Sequence, residues 1–119
     1  MNGAKYLLDT NIIIGFLARK PEVLELFALK KIKIYECVYS SISRMELLSF
    51  PSISAIEINA IETLLLRMNY LAVTKAIEDE TIEFRRQHKT KLPHSIIAGT
   101  AKHYQLELLT LDKKLANLL

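Results

Sequence analysis

The stretch Lys5-Tyr6-Leu7-Leu8-Asp9-Thr10-Asn11 indicates how this chain folds. Its apolar part, Lys5–Leu8, is typical of a short buried strand, and the strand stops at Asp9. Apolar residues then recur at helical spacing, so a helix is predicted to follow at once, with Asp9 and Thr10 able to cap its start. The residues that set this spacing are Ile12, Ile13, Phe16 and Leu17.

The same alternation of short strands and helices continues to the end of the chain. Extended segments are predicted at Ile32–Tyr35, Val38–Ser40, Leu71–Val73 and Leu106–Thr110. Helices are predicted from Pro21, from Ser43, over Ile53–Met68, from Thr74 to about His88, around Pro93 and over Lys113–Leu119. This alternation predicts an α/β fold, a three-layer α/β/α sandwich with a short central parallel sheet.

The composition indicates one compact domain over residues 1–119, because 50% of the residues are hydrophobic and only 3 Gly and 3 Pro are present. The single cysteine, Cys37, cannot form an internal disulfide, which favours the reducing cytoplasm, and its apolar neighbours predict a buried structural thiol. Met1–Lys5 lacks the features of a signal peptide. No apolar run approaches the roughly 20 residues of a membrane span, so no membrane contact is expected.

Charge and motifs exclude several functional classes. The formal charge of +3 is compatible with an anionic partner such as nucleic acid but does not require one. The chain has no P-loop and no Gly-rich dinucleotide loop, and its histidines lack the spacing of a zinc site. An aspartyl-phosphate mechanism is disfavoured because Asn11 stands where the second aspartate would act as the general acid.

Acidic residues follow predicted strands at three places. Asp9 and Asp112 come at strand ends, and parallel strands bring such ends to the same edge of a sheet, where ligands bind in open α/β folds. Glu46 lies in a helix after another strand and can reach the same edge. Three converging carboxylates repel one another unless a cation lies among them, and all-oxygen ligation suits Mg²⁺ or Mn²⁺ rather than zinc.

Each of these acids also has a purely structural interpretation. Asp9 can cap the first helix, Asp112 can cap the last, and Glu46 has the spacing of a capping box with Ser43. For any one acid the structural role is the commoner one. Three acids at equivalent positions favour a metal site, but spacing alone leaves both interpretations open.

Four segments, in order along nearly the whole chain, resemble the motifs of PIN domains of the VapC toxin type. They are Leu7–Asn11 with the first acid, Ser41–Leu47 with the second, Lys91–Ala101 at the position of the third and Leu108–Asp112 with the fourth. Each motif is weakly specific by itself. Four in order within a chain of this length are specific.

The resemblance implies a PIN-like sandwich and a Mg²⁺- or Mn²⁺-dependent endoribonuclease, commonly a homodimer. Many bacterial members are toxins held inactive by a cognate antitoxin, so the resemblance also implies an RNA substrate and an antitoxin partner. The residues it implies as metal ligands are Asp9, Glu46 and Asp112, and those implied to orient carboxylates or metal-bound waters are Thr10, Asn11 and Thr110. Capping and turn formation explain the last three residues as well.

The chain departs from the family at His94, where the family usually has aspartate. A neutral imidazole can donate one nitrogen to Mn²⁺, but it is a poor partner for Mg²⁺ and brings no negative charge. Three interpretations stay open: His94 is an alternative ligand or proton shuttle, it marks a loss of activity, or it has no role. We expect weakened catalysis. The alternative is an inactive PIN fold that binds RNA or protein without cutting.

Basic residues near the motifs are candidates for contacts with RNA phosphates. They are Arg44, Arg85, Arg86, Lys89 and Lys91. A solvated helix face or loop explains any one of them equally well. For the dimer or antitoxin surface, the candidates are the helical segment Ile53–Met68 and the apolar early helices, with ordinary core packing as the alternative.

Overall fold

Four short parallel strands form the centre of the fold in the computed structural model, which describes residues 3–119. The strands are β1 (Tyr6–Leu8), β2 (Cys37–Ser40), β3 (Asn69–Leu71) and β4 (Glu107–Leu109). They lie in the order β3-β2-β1-β4, and all neighbouring strands are parallel. Because β1 pairs with both β2 and β4, its carboxyl end lies in the middle of one edge of the sheet.

Helices connect the strands and cover both faces of the sheet. Within residues 3–119 they are α1 (Thr10–Leu17), α2 (Pro21–Lys30), α3 (Ser41–Leu48), α4 (Ala55–Leu65), α5 (Lys75–Gln87), α6 (Leu92–Tyr104) and α7 (Lys113–Asn117). Most begin where the sequence pattern places them, at a capping side chain or at a proline in the first turn.

The layers follow from the alternation of side chains along β1. Leu7 and Leu8 are both almost completely buried, and successive residues of a strand point to opposite faces of the sheet. Leu8 packs in a core with Ile12 and Leu65, on the face covered by α1 to α4. Leu7 packs on the other face against Ile97 of α6. This arrangement confirms the predicted three-layer sandwich with a central parallel sheet.

Helices α5, α6 and α7 form the helical layer on the face of the sheet where Leu7 lies. A Cβ atom added to Gly99 would lie 2.8 Å from Thr81 Oγ1 and 3.0 Å from the Thr81 backbone nitrogen, so α6 approaches α5 as closely as a glycine allows. Phe84 of α5, Ala98 of α6 and Leu115 of α7 pack in one buried cluster. The end of α5 and the short α7 are thereby held beside the start of α6.

The prediction of an extended segment at Ile32–Tyr35 was wrong. A 3₁₀ turn occupies Ile34–Glu36. The turn forms because the Glu36 carboxylate accepts a hydrogen bond from the Lys33 backbone N–H at 2.9 Å, while the Glu36 N–H donates to the Lys33 carbonyl. Local hydrogen bonding of this kind outweighs the β propensity of the apolar residues.

The strand predicted at Leu71–Val73 begins two residues earlier, at Asn69. The Asn69 side-chain amide donates to the carbonyls of Tyr35 and Cys37 at 2.9 and 3.0 Å, which ties the start of β3 to β2. The Val73 N–H donates instead to the Ser41 hydroxyl, so the chain has left the ladder there.

Helix α3 begins at Ser41 rather than at Ser43. Ser40 caps it, since its hydroxyl accepts from the Ile42 N–H at 3.2 Å. Ser43 is therefore a buried residue inside the helix, and its hydroxyl contacts Thr10 Oγ1 at 2.8 Å. The predicted capping box between Ser43 and Glu46 was wrong, which removes the structural interpretation of Glu46.

Cys37 is fully buried at the start of β2. Burial raises the pKa of its thiol to about 12, so the reactive thiolate is scarce at neutral pH. This confirms the predicted structural thiol.

No helix within residues 3–119 is both long and apolar enough to span a bilayer. The expectation about Met1–Lys5 falls in part on Met1 and Asn2, which lie outside the described residues.

Candidate active site

The carboxyl ends of β1 and β4 bring two of the predicted acids to one edge of the sheet. The two strands are in register, with Leu8 opposite Leu109, and the Asp9 N–H donates to the Leu109 carbonyl at 2.9 Å. Asp112 follows three residues after the end of β4. The parallel pairing therefore places Asp9 and Asp112 next to each other although 102 residues separate them along the chain (112 − 9 − 1).

Asp9 is held more firmly than any other acid of the site. It is 2% exposed, its Oδ1 accepts from the Thr10 N–H at 2.7 Å, and its Oδ2 accepts from Thr110 Oγ1 at 2.7 Å. The first of these bonds caps α1, as predicted. Capping uses only one of its carboxylate oxygens, so the structural role does not compete with a role in the site.

Thr110 joins the two strand ends. Its hydroxyl donates to Asp9 and accepts from the Asp112 N–H at 3.0 Å. Asn11 lies beside it: its carbonyl accepts from the Leu111 N–H at 3.1 Å, and its amide nitrogen is 3.4 Å from Thr110 Oγ1, a weak bond. The structure thus places Asn11 and Thr110 where they orient the loop that carries Asp112.

Glu46 reaches the site from α3 through Thr10. Glu46 Oε1 accepts from Thr10 Oγ1 at 2.7 Å, and the Ser43 hydroxyl is 2.8 Å from Thr10 Oγ1. Thr10 has one hydroxyl proton and the ionised carboxylate only accepts, so Thr10 donates to Glu46 and Ser43 donates to Thr10. Sequence reasoning missed this contribution of Ser43 because its spacing to Glu46 has a commoner explanation in a helix cap.

His94 lies between the two strand-end acids. It stands in the first turn of α6, with Nε2 3.8 Å from Asp9 Oδ2 and Nδ1 3.5 Å from Asp112 Oδ2. Both distances are too long for good hydrogen bonds. Its side chain is about one third exposed. The imidazole of His94 therefore occupies the space between the two carboxylates.

The donor set of the site suits a divalent cation, although its side chains are not gathered into a ligand shell. No three acidic, histidine or cysteine side chains within residues 3–119 lie close enough together to hold a metal ion. Glu46 is linked to the other acids only through Thr10. The available donors are carboxylate and hydroxyl oxygens, the chemistry that Mg²⁺ and Mn²⁺ prefer, together with one imidazole that tolerates Mn²⁺.

Four of the five basic candidates fall into two groups. Arg44 is 3.0 Å from Glu62, and Arg86 is 4.0 Å from Glu83 on the surface of α5. Lys89 and Lys91 line a groove of about 690 Å³ that reaches His94 and Asp112. Arg85 is exposed in the last turn of α5 and does not line this groove.

Sequence reasoning missed the two polar residues of this groove that come from α7. Lys114 and Asn117 of α7 line it together with the loop between α5 and α6. A signal for Lys114 was present in the sequence, since it follows the predicted acid Asp112 by two residues.

A second, apolar groove lies between α1, α3 and α4. It is lined by Ile14, Leu17, Leu47, Phe50, Ile53 and Ile61, among others. Ile14 is 42% exposed and Phe50 57%, more than core packing explains. The predicted apolar surface of the early helices and the Ile53–Met68 segment is therefore present, although Ile61 and Leu65 of that segment are core residues.

Comparison with known proteins gives a consistent result. A family model described as "PIN domain" matches residues 6–118. A toxin–antitoxin complex from Klebsiella pneumoniae is 27% identical with a TM-score of 0.75, over 92% of this chain and 88% of that one. DNA-bound VapBC from Salmonella typhimurium is 24% identical with a TM-score of 0.80, over 96% and 91%. VapBC2 from Rickettsia felis, bound to a DNA fragment from its promoter, is 19% identical with a TM-score of 0.78, over 95% and 92%. No curated protein matches the chain by sequence.

Proposed function

The chain belongs to the PIN domain family, and from that premise we propose that it is a metal-dependent endoribonuclease, the toxin of a VapBC-type toxin–antitoxin system. The observation that carries the proposal is the meeting of Asp9 and Asp112 on either side of His94, at the carboxyl edge of the sheet. Glu46 joins them through the Thr10 hydroxyl. Acids brought together from three distant segments serve no evident structural need beyond the caps already described.

In the proposed site, Asp9, Glu46 and Asp112 would hold Mg²⁺ or Mn²⁺. When bound, such an ion neutralises charge on the scissile phosphate and makes a water molecule more acidic. Thr110 and Thr10 orient the carboxylates of Asp9 and Glu46 and keep them from turning away.

The roles of Asp112 and Asn11 follow from the same network. Asp112 Oδ1 accepts from the Leu115 N–H at 3.1 Å and caps α7, which leaves Oδ2 facing His94. Asn11 holds the intervening loop through the Leu111 N–H, so that Asp112 stays beside Asp9. We propose that each strand-end acid caps a helix with Oδ1 and presents Oδ2, the oxygen that faces His94, to the reaction.

A second candidate function is favoured by His94. Its imidazole occupies the space between Asp9 and Asp112 and supplies no negative charge, unlike the aspartate usual in the family. With one carboxylate fewer, a second metal ion about 4 Å from the first would be held weakly. The second candidate is therefore a weakened or inactive PIN fold that binds RNA or a protein without cutting.

An RNA cleavage assay separates the two candidates. Purified protein is incubated with structured and unstructured RNA in Mn²⁺, in Mg²⁺ or in EDTA. We expect cleavage in Mn²⁺, none in EDTA, and loss of cleavage in Asp9→Ala. Asp79→Ala is the matched control, because Asp79 is exposed on α5 away from the site. Cleavage that persists in EDTA or in Asp9→Ala would contradict the nuclease proposal.

The solved relatives are complexes with antitoxins, and we propose that this chain also has a cognate antitoxin and forms a homodimer. The apolar groove of α1, α3 and α4 supports the antitoxin proposal, since Ile14 and Phe50 line it and remain exposed. Sedimentation velocity with and without the product of the neighbouring gene tests both assemblies. Phe50→Ser should weaken the mixed complex, whereas Leu29→Ser, at an apolar and even more exposed position outside the groove, should not.

We further propose that the protein is a single domain over residues 1–119 and acts in the cytoplasm. The single buried cysteine supports the compartment, since it needs no oxidising environment. Cell fractionation with an antibody to the native protein tests it.

A further inference from the structure

A groove of about 690 Å³ leads away from the candidate active site in one direction. One part of its lining is the segment from Gln87 to Lys91 together with His94, and the other part is contributed by Asp112 and α7. Asp112 and His94 belong to both the groove and the acid site. Anything that lies in the groove therefore continues directly to the proposed reacting atoms.

The charge of this groove is positive apart from the acid at its inner end. Lys89, Lys91 and Lys114 line it and are exposed, and Asp112 is the one acidic residue among its described lining residues. Within residues 3–119, none of these three lysines forms an ion pair with a carboxylate. Their charges are free to bind phosphates, for which a cation already paired with a carboxylate is poorly suited.

The other grooves near the site carry fewer unpaired cations. The groove of α1, α3 and α4 is lined mainly by apolar residues, and the nearby Arg44 is bound to Glu62 at 3.0 Å. A groove beside Asn11 is lined by Arg19 and Lys20, of which Lys20 is paired with Glu22 at 2.9 Å. The groove with three unpaired lysines therefore offers an extended polyanion the most cationic contacts of the three.

The lining also offers surfaces for bases. Leu118, directly after α7, contributes exposed apolar atoms, and Asn117 contributes an amide that can both donate and accept hydrogen bonds. His88 is half-buried, its ring 4.5 Å from that of Phe84. Unpaired bases bind by stacking and by contacts with their edges, whereas an RNA duplex offers a broad surface of phosphates and 2′-hydroxyls.

We propose that this groove, defined by Lys89, Lys91 and Lys114, binds single-stranded RNA on one side of the scissile phosphate. Lys114 is the new contact, since only the fold brings it beside the other two. The proposal rests on the nuclease function for its purpose, but it concerns binding and is tested by binding. Lys91 and Lys114 contribute to the neighbouring helices through their backbone, so their side chains can be truncated without loss of a cap.

The first test measures binding in EDTA by fluorescence anisotropy, with a labelled single-stranded RNA of about 12 nucleotides. The triple variant Lys89→Ala/Lys91→Ala/Lys114→Ala is compared with a control that removes the same charge elsewhere. The control is Lys31→Ala/Lys33→Ala/Lys75→Ala, whose lysines are exposed and lie outside the groove. We expect affinity at least about tenfold lower for the groove variant, and a salt slope smaller by about 2, since each lost phosphate contact on a single strand accounts for about 0.7.

The second test isolates Lys114 and the type of RNA. Lys114→Ala should lower affinity and reduce the salt slope by about 0.7, and Lys114→Arg should restore both. A hairpin duplex of matched length should bind more weakly than the single strand. In the cleavage assay, Lys114→Ala should raise KM more than it lowers kcat.

Several outcomes overturn the proposal. Equal affinity of the groove and control variants removes it, and so does a loss of binding to the antitoxin with no loss of binding to RNA. A duplex bound as tightly as the single strand contradicts the single-strand assignment. Binding that depends on the lysines in a protein that cleaves no RNA leaves the groove in place and rejects only the nuclease function. If the groove variant cleaves RNA with an unchanged KM, the nuclease function is kept and the proposed role of the groove is rejected.

Discussion

Asp9 and Glu46 are both acids of the candidate site, but the fold treats them very differently. Asp9 follows the central strand, is 2% exposed and has both oxygens bonded, one to a backbone N–H and one to Thr110. Glu46 is exposed on the surface of α3 and has one hydroxyl contact, from Thr10. The site therefore has a rigid half around Asp9 and an adaptable half around Glu46.

This difference indicates how the site can be completed. A buried carboxylate held on both oxygens keeps its position, whereas an exposed one with a single bond can rearrange at little cost, since water replaces what it loses. Within residues 3–119 the acids do not already form a metal-binding group. Of the three, Glu46 is the acid whose movement toward the other two costs least. In the proposed nuclease, the rigid half would define the place of the reaction, and the adaptable half would respond to what binds there.

The largest expected effect comes from removing the hydroxyl that holds each acid. Thr110→Val should lower the cleavage rate about 10- to 100-fold, because residues that orient the ligands of a metal site usually matter to that extent. Thr10→Val should cost less than about tenfold, since water can replace its bond to the exposed Glu46. Single-turnover rates in Mn²⁺ measure both.

Rescue by serine separates positioning from folding in this comparison. Thr110→Ser restores the hydroxyl without the methyl group and should recover most of the rate, whereas a role in packing alone would not be rescued. Equal losses in Thr110→Val and Thr10→Val would contradict the division into a rigid and an adaptable half.

The next effect is on stability. Asp9→Ala removes the cap of α1 and the acceptor of the Thr110 hydroxyl, and should lower the free energy of unfolding by about 1–2 kcal/mol. Glu46→Ala should change it by less than about 0.5 kcal/mol, because Glu46 is exposed and caps nothing. Urea denaturation followed by circular dichroism, without metal, compares the two. A larger loss in Glu46→Ala than in Asp9→Ala would reverse the assignment of the rigid half.

His94 lies in the rigid half, beside Asp9, and its replacement tests whether it limits the cleavage activity of the site. His94→Asp restores the aspartate usual in the family and should raise cleavage in Mg²⁺ on the order of tenfold, with a smaller gain in Mn²⁺, which tolerates imidazole. It should also lower stability without metal, because three carboxylates then face one another. His103→Asp is the control, at an exposed position on α6. Unchanged activity in His94→Asp would mean that His94 is not the limiting feature.

The two halves also differ in how far the sequence predicts them. The rigid half was predictable, because Asp9 and Asp112 mark strand ends and parallel pairing alone brings such ends together. In the adaptable half, Glu46 and Thr10 were predicted, but the contribution of Ser43 was not, since a serine three residues before a glutamate usually forms a helix cap. The cap falls on Ser40 instead, where β2 runs directly into α3 without a loop. The position of Lys114 was missed for a related reason. Its closeness to Asp112 in sequence does not show which groove it lines, because that depends on the packing of Leu115 against Phe84, a contact between distant segments.

The smallest expected effect is on the pH dependence of stability, and it concerns Glu36, a buried acid outside the site. This residue tests whether burial and hydrogen bonding by themselves make an acid functional. The bond from the Lys33 backbone N–H, and then the bond from the Lys5 side chain, lower the pKa of Glu36 below its ordinary value of 4.5. A lowered pKa means that the ionised form stabilises the fold. This stabilisation is fully present above the ordinary pKa and is lost as the pH falls through the lowered one. The difference in unfolding free energy between the native chain and Glu36→Gln should therefore grow as the pH rises through the lowered pKa and the ordinary one, and should stay constant at higher pH. Glu25→Gln, at an exposed position on α2, should show no such change.

RNA cleavage at neutral pH should be unchanged in both variants. If Glu36→Gln impaired cleavage as strongly as Thr110→Val, the contrast between structural acids and site acids would fail, because a bond far from the carboxyl edge would then matter as much as one within it.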